Sequence, residues 1–312
     1  MKVYKYMSMD IFKAFEKNNT LRLTKSHSQN DPFEFSLSYI DLHNLYKKSE
    51  YKEDFTEFMN ISGCVSMTTD KENIYMWSHY ADNHKGVMIE FTFDENEPEN
   101  LFLGSANVYK NSPIKQPTGF LHAPVDYKKS RRLETSNGDL ENIINTLYFR
   151  KSKAWDKESE YRFILPFTET REILLTQKGL DTLLENIELD GFKERFVNNN
   201  ENEKYIFKID ALSVNHLLTI KCIHILHKIW KTESTECIFV VKMNTDKLTG
   251  IYFGCRSDVN QCGIKNDTSY FDGKFYSVMN DSIQGIYQAE VDANDFKLNF
   301  SPAIIPLSNL AE

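Results

Sequence analysis

The sequence predicts an α+β fold. Three observations lead there. Segments with strand alternation and segments with helical spacing are interspersed, without the regular strand–helix–strand rhythm of a doubly wound sheet. Neither a G-x-G-x-x-G nor a Walker pattern is present, so neither common nucleotide fold is signalled. The apolar fraction, 41% with 13% aromatic, is ample for a packed core across 312 residues. Residues 1–312 read as one large domain with insertions, with a soft boundary near 168–177.

The elements follow in chain order. Val3–Tyr6 reads as a short strand. Asp10–Glu16 has helical spacing, with Ile11, Phe12 and Phe15 on one face and a cap at Ser8 or Asp10. Leu21–Thr24 is another short strand, and Asp41–Met59 a charged helix. Ile61–Met67 reads as a buried strand, Lys71–Ala81 as a helix with Ile74, Trp77 and Tyr80 inward, and Val87–Phe93 as a strand after Gly86. The stretches 94–115 and 117–137 read as loops, with one strand at Ala106–Lys110. Leu140–Trp155 reads as a helix whose basic end suits the macrodipole. Tyr161–Phe167 is an apolar strand, and Thr176–Asn198 mostly helix. Lys204–Ile209 is a strand, and Ser213–Trp230 an amphipathic helix started by Ser213. Cys237–Met243, Gly250–Gly254 and Ile286–Val291 are further strands.

Composition narrows the function classes. The formal net charge of −8 disfavours non-specific nucleic-acid binding, because phosphate contacts need Lys and Arg. A local basic patch remains at Lys128-Lys129-Ser130-Arg131-Arg132. The five cysteines are odd in number and show no C-x-x-C spacing, which argues against a zinc site or a disulfide framework. Free thiols, an N-terminus without a signal-like apolar run and no segment of transmembrane length lead us to expect a soluble cytoplasmic protein, away from membranes.

Chemistry concentrates in Trp155-Asp156-Lys157-Glu158-Ser159-Glu160-Tyr161-Arg162. On a strand, Glu158, Glu160 and Arg162 share one face, and Tyr161, Phe163 and Leu165 the other. Adjacent carboxylates raise each other's pKa and suit acid/base work. A carboxylate also stabilises an oxocarbenium-like transition state at a sugar C1. On spacing alone the same run equally describes a solvated strand edge.

Two further constellations stand out. In Asn30-Asp31-Pro32-Phe33-Glu34, Pro32 and the turn-forming Asn30 and Asp31 make either a structural turn pinned by Phe33 or a rigid loop at the rim of a site. In the third, Ser66 and Thr68 share a face at a strand end. Trp77 and Tyr80 lie one helical turn apart, able to stack on a flat ring or simply to pack in the core. His79 with His84, and His224 with His227, lack a third ligand at metal spacing. No G-x-S-x-G elbow is present, and Cys64 has no identifiable base.

Taken together, Tyr4-Lys5-Tyr6, Leu21-Arg22-Leu23, Asn30-Asp31-Pro32-Phe33-Glu34, Cys64-Val65-Ser66, Met76-Trp77-Ser78-His79-Tyr80, Lys85-Gly86-Val87-Met88-Ile89-Glu90-Phe91, Trp155 through Arg162 and Gly250-Ile251-Tyr252-Phe253-Gly254 resemble a widespread bacterial family defined by a domain of unknown function. The resemblance runs along nearly the whole chain. A more distant similarity is to ADP-ribosyltransferases of the Arg-Ser-Glu type. These carry an early Arg for the NAD phosphates, a Ser-Thr-Ser-like element at the nicotinamide ribose and a Glu-x-Glu turn. Arg22, Ser66 with Thr68, and Glu158-Ser159-Glu160 stand in that order. Ser66-Met67-Thr68 departs from a strict Ser-Thr-Ser, and Lys5 or Tyr6 competes with Arg22 for the first role.

The similarity implies a split β-sheet core with peripheral helices, and NAD as substrate without a metal. It places Arg22 on the pyrophosphate, Ser66 and Thr68 at the ribose, and Trp77 or Tyr80 at the nicotinamide. Glu160 is then the catalytic carboxylate, Glu158 activates or positions the acceptor, and Arg162 holds the carboxylates in place. It also implies a protein or nucleic-acid acceptor, a toxin or phage-defence role, and an inhibitory antitoxin or immunity partner. Two other classes compete. One is a metal-dependent nuclease using Asp31, Glu34, Glu158 and Glu160. The other is a non-enzymatic module in which these motifs serve packing or partner binding.

Overall fold

The structure is a computed structural model that describes residues 1–47, 61–103, 120–133, 140–186, 196–199, 204–208, 216–231, 236–257, 268–271, 274–277 and 282–306. The first half supplies β1 (Lys2–Met7), α1 (Met9–Asn18), β2 (Thr20–Lys25), α2 (Tyr39–Lys47), β3 (Ser62–Thr68), α3 (Ile74–His79), β4 (Val87–Thr92), β5 (Leu121–Pro124) and β6 (Asp126–Lys128). Then come α4 (Leu140–Phe149), β7 (Arg150–Ser152), β8 (Glu160–Pro166), β9 (Thr170–Thr176), α5 (Gln177–Asn186), β10 (Phe196–Asn199), β11 (Lys204–Lys208) and α6 (His216–Lys231). The chain continues through β12 (Cys237–Lys242), β13 (Leu248–Phe253), β14 (Thr268–Phe271), β15 (Lys274–Ser277), β16 (Gly285–Val291) and β17 (Leu298–Pro306).

The architecture is mixed α and β around a large mixed sheet, as the α+β prediction requires. One hydrogen-bonded path runs β10-β11-β9-β12-β2-β3-β1-β4-β13-β16-β17-β15-β14. Its centre is branched. Along one edge of β3, Gly63 and Cys64 pair with β2, while Thr68 pairs with β1. Its full length, Ser62 to Thr68, pairs with β8, which in turn carries β5. The β1 and β2 limbs therefore diverge about Ser66. Chain connectivity explains the divergence: α1 lies between the two strands in sequence, capped by the Ser8 hydroxyl and closed by Asn19 in a left-handed conformation.

Alternation then sorts the faces. Tyr161, Phe163 and Leu165 of β8 enter the main core with Val65 and Met67 of β3, Val3 and Met7 of β1, and Phe12 and Phe15 of α1. Trp77 and Met76 of α3 pack with Tyr4, Tyr6 and Met88 on the opposite side of β1 and β4. At the start of β4, a side chain on Gly86 would meet the Met7 carbonyl oxygen at 2.1 Å, so this tight approach needs glycine.

Several elements differ from the sequence prediction. The segment expected as one helix over 140–155 is helical only to Phe149; β7 and a 3₁₀ turn (Lys153–Glu158) follow. The Ser152 hydroxyl caps that turn, and the Lys151 side chain is drawn into a carboxylate cluster, a tertiary pull that local propensity does not report. Within the stretch read as loop, β5 and β6 form because β8 and β7 offer them edges. Strand β9 forms where the sequence shows only a soft boundary, and of the helix expected over 176–198 the start is helical as α5 while the end, from Phe196, is strand β10. Strand β17 carries Pro302, which cannot donate to a ladder. It sits where the β16–β17 register shifts, opposite Tyr287. The strand expected at 106–110, most of the helix expected to 59 and the Ser213 cap lie outside the described residues. Among the described residues no helix is long and apolar enough to cross a membrane.

Candidate functional site

The site grows from the divergence of β1 and β2. A cleft of about 210 Å³ opens there, lined among others by Lys5, Arg22, Ser66, Tyr80, Glu158 and Glu160. Each comes from a different part of the chain: β1, β2, β3, the end of α3, the 3₁₀ turn and β8. Lys5 Nζ donates to the Ser66 carbonyl at 2.6 Å, tying β1 to β3 beside the point where the β1 and β2 limbs part. Burial pushes the Lys5 ammonium below its ordinary pKa, with Glu160 pulling the other way. Neither Lys5 nor Arg22 forms an ion pair with any described residue.

Opposite them lies a cluster of three carboxylates and two cations. Arg162 of β8 is fully buried, and its guanidinium grips Glu160 with both Nε (2.8 Å) and Nη2 (3.0 Å). Nη2 also donates to Glu34, and Nη1 to the Tyr148 carbonyl at 2.7 Å. Lys151 Nζ reaches Glu34 at 3.0 Å, Glu158 at 2.6 Å and Glu160 at 3.1 Å. Tyr80 donates its phenol proton to Glu158.

The turn that brings Glu158 beside Glu160 has a local cause. Ser159 adopts φ 45°, ψ 46°, a left-handed conformation that ends the 3₁₀ turn. The Thr68 hydroxyl donates to the carbonyls of both Glu158 (2.8 Å) and Ser159 (3.0 Å), and the Thr69 amide adds a bond to Ser159 at 3.1 Å. The Glu160 amide donates to the Tyr127 hydroxyl at 2.8 Å.

Electrostatics give Glu160 and Glu34 opposite characters. Burial pushes Glu160 up, but the Arg162 guanidinium and the Lys151 ammonium beside it outweigh that and leave the carboxyl at about 2. Glu34 remains raised by burial despite Arg162 and Lys151. The mutual raising of pKa expected from adjacent carboxylates is thus overturned at Glu160, because two buried cations sit closer than the carboxylates' repulsion can offset. Glu160 is an anion throughout the physiological range, suited to stabilising positive charge and unsuited to donating a proton.

A pH dependence follows. A carboxyl held below its ordinary value of 4.5 contributes stability above that pH, and the contribution disappears as pH falls through about 2. For Glu160 the difference is worth about 3 kcal/mol. Glu34, shifted the other way, costs stability above its unfolded pKa, so the Glu160 part must be isolated as a difference. In urea titrations, wild type should exceed Glu160→Gln by about 3 kcal/mol at pH 7, and the gap should narrow by about half at pH 3.

The structure brings together Arg22, Ser66, Tyr80, Glu158 and Glu160, with Asn30 at the rim and Glu34 in the cluster. Lys5 and Tyr6, the rivals of Arg22, line the same cleft. Other expected residues lie elsewhere. Thr68 is fully buried beneath the Glu158–Ser159 turn and does not line the cleft. Trp77 is also fully buried, packed edge-on against Tyr6 with ring centroids 5.0 Å apart, so it has no face to offer a ligand. Arg162 supports the carboxylates from behind. Asp31 accepts from the Phe33 amide at 2.9 Å in a local turn and borders a neighbouring cavity. Phe33 does not pin that turn, being 57% exposed. The four-carboxylate set of a nuclease is therefore not assembled, and the three that converge share the Lys151 ammonium. Lys151 itself was missed. Its only sequence signal, a basic residue after an apolar helix, already had an explanation in the macrodipole.

The model of a family described as a protein of unknown function (DUF2971) matches residues 76–163. That stretch holds Tyr80, Lys151, Glu158, Glu160 and Arg162, and leaves out Lys5, Arg22, Glu34 and Ser66. It covers less of the chain than the motif resemblance spans. No curated protein and no solved structure matches the chain.

Proposed function

We propose that the chain is an NAD-dependent ADP-ribosyltransferase acting on a macromolecular acceptor. The observation that supports this most is the convergence of Arg22, Ser66, Tyr80, Glu158 and Glu160 on one cleft at the β1–β2 divergence. Arg22, a cation without a described ion-pair partner, suits a pyrophosphate, and Lys5 beside it gains charge as a phosphate approaches; the ionised Glu160 suits a developing sugar cation. The cleft is smaller than the roughly 300–1,000 Å³ typical of small-molecule sites. It therefore receives the nicotinamide-ribose end and its phosphate, and leaves the adenosine end outside.

In this reading Arg22 and Lys5 pair with the phosphate oxygens. Ser66 orders the ribose, and Tyr80 packs beside the nicotinamide. Glu160 stabilises positive charge at the ribose C1′ while the C1′–N bond breaks and its electron pair leaves with neutral nicotinamide. A lone pair of the acceptor forms the new bond to C1′, and Glu158 takes the acceptor's proton. Lys151 and Arg162 hold both carboxylates in place.

Adenylate-labelled NAD incubated with the protein and cell extract tests this, with and without EDTA. Label should pass to a macromolecule in both conditions and fail to do so with Glu160→Gln. Absence of both NAD turnover and transfer from the wild type would overturn the proposal. Metal-dependent cleavage of nucleic acid, abolished by EDTA, would support the nuclease reading instead.

A further inference from the structure

A second cavity, of about 450 Å³, lies against the first, and Glu34 and Lys151 line both. Its outer wall is the basic run Lys128–Arg132 together with Arg150, and its rim carries Phe33. Lys129, Arg131 and Arg132 are exposed, and none forms an ion pair with a described residue. The acids on the lining are compensated or turned inward. Glu34 is held by Arg162 and Lys151, and Asp31 is 4% exposed. On a chain of formal net charge −8, this is a local concentration of positive charge beside the carboxylate cluster.

Phe33 adds a second, independent feature. It is 57% exposed, and the Arg131 guanidinium lies 5.0 Å from its ring centroid, positioned by a 2.9 Å bond to the Ser36 hydroxyl. An exposed aromatic ring flanked by a guanidinium plane offers a platform on which a nucleic-acid base stacks. A cavity of this size admits single bases and a backbone but not a double helix. An acidic protein segment would use the charges and leave the ring without a planar partner.

We propose that this groove, formed by Lys129, Arg131, Arg132 and Phe33, seats a single-stranded nucleic acid, which on the ADP-ribosyltransferase reading is the acceptor. The basic side chains track phosphates, and Phe33 stacks a base. The Glu34–Lys151 pair shared by the two cavities sets the strand next to Glu158, the group that receives the acceptor's proton.

The test uses a fluorescein-labelled single-stranded oligonucleotide and the full chain, followed by anisotropy over a range of salt. Three phosphate contacts, one for each basic side chain, predict a slope of log K against log salt of about −2. Lys129→Glu with Arg131→Glu and Arg132→Glu should weaken binding more than tenfold and flatten the slope by about 2, to near zero. Phe33→Ala should weaken it about tenfold with the slope unchanged, since stacking releases no counterions. Lys13→Glu with Lys85→Glu, on exposed positions outside both cavities, should change little. Equal binding by wild type and the triple variant would overturn the proposal, as would tight binding of poly-glutamate without binding of the oligonucleotide. Nicotinamide release from NAD is measured separately on the wild type. Release without oligonucleotide binding removes the groove and leaves the enzyme; binding without release removes the enzyme and leaves a nucleic-acid site.

Discussion

Glu160→Gln should lower the rate of nicotinamide release from NAD by about a thousandfold, at the upper end of what one preorganised electrostatic contact supplies. The neutral amide cannot balance positive charge at C1′. It also turns an NH₂ toward the donors of Arg162 and Lys151, which hold the wild-type carboxylate at 2.8 to 3.1 Å. The Michaelis constant for NAD should move much less, because the proposed binding mode takes its phosphate contacts from Arg22 and Lys5. Glu158→Gln should separate the two halves of the reaction, retaining nicotinamide release and losing transfer to the acceptor. Circular dichroism at the assay temperature keeps loss of folded protein apart from loss of chemistry. A Glu160→Gln enzyme with unchanged turnover would remove Glu160 from the mechanism.

Arg162→Ala should destabilise the protein by about 3–5 kcal/mol, the cost of removing one partner from a buried ion cluster. Arg162 is fully buried and its donors serve Glu160, Glu34 and the Tyr148 carbonyl, so its removal leaves two carboxylates to Lys151 alone. It also empties the space above the Phe35 ring, 5.1 Å from the guanidinium carbon. Against the 5–15 kcal/mol of a typical domain this is a large fraction, and a fall in melting temperature of about 10 °C is expected. Arg162→Lys should recover only part of it, because an ammonium cannot make the two-pronged contact to Glu160. A melting temperature within 2 °C of wild type, on the scale of about 1 kcal/mol or less, would show that the cluster is not what holds β8 against the loop around Glu34.

The alternation of β8 was legible because it is local: a period of two puts Glu160 and Arg162 on one face and Tyr161, Phe163 and Leu165 in the core. The company Glu158 keeps was not legible by the same rule. It belongs to a 3₁₀ turn and reaches Glu160 through the left-handed Ser159, a conformation no spacing rule assigns to serine. Lys151 and Glu34 enter the cluster from 9 and 126 residues before Glu160, and only the tertiary fold places them. Ser66 and Thr68 share a face as alternation requires, yet a turn folded over Thr68 leaves only Ser66 in the cleft. Trp77 and Tyr80 lie one turn apart but part company, because Trp77 fills the core beside Tyr6 while Tyr80 closes α3 and reaches Glu158. In the fold, β17 was hidden by Pro302 although it pairs with its sequence neighbour β16, and β5 was hidden by its shortness and by its dependence on an edge offered by the distant β8.

The proposed function rests on the cleft between β1 and β2 binding NAD and breaking its bond to nicotinamide. The most direct measurement is proton NMR of NAD mixed with purified protein, following the resonances of free nicotinamide, with calorimetric titration of NAD alongside. Wild type should release nicotinamide steadily, Arg22→Ala should bind NAD more weakly, and Glu160→Gln should release none above background. Intact NAD together with no heat of binding to the wild type would contradict it.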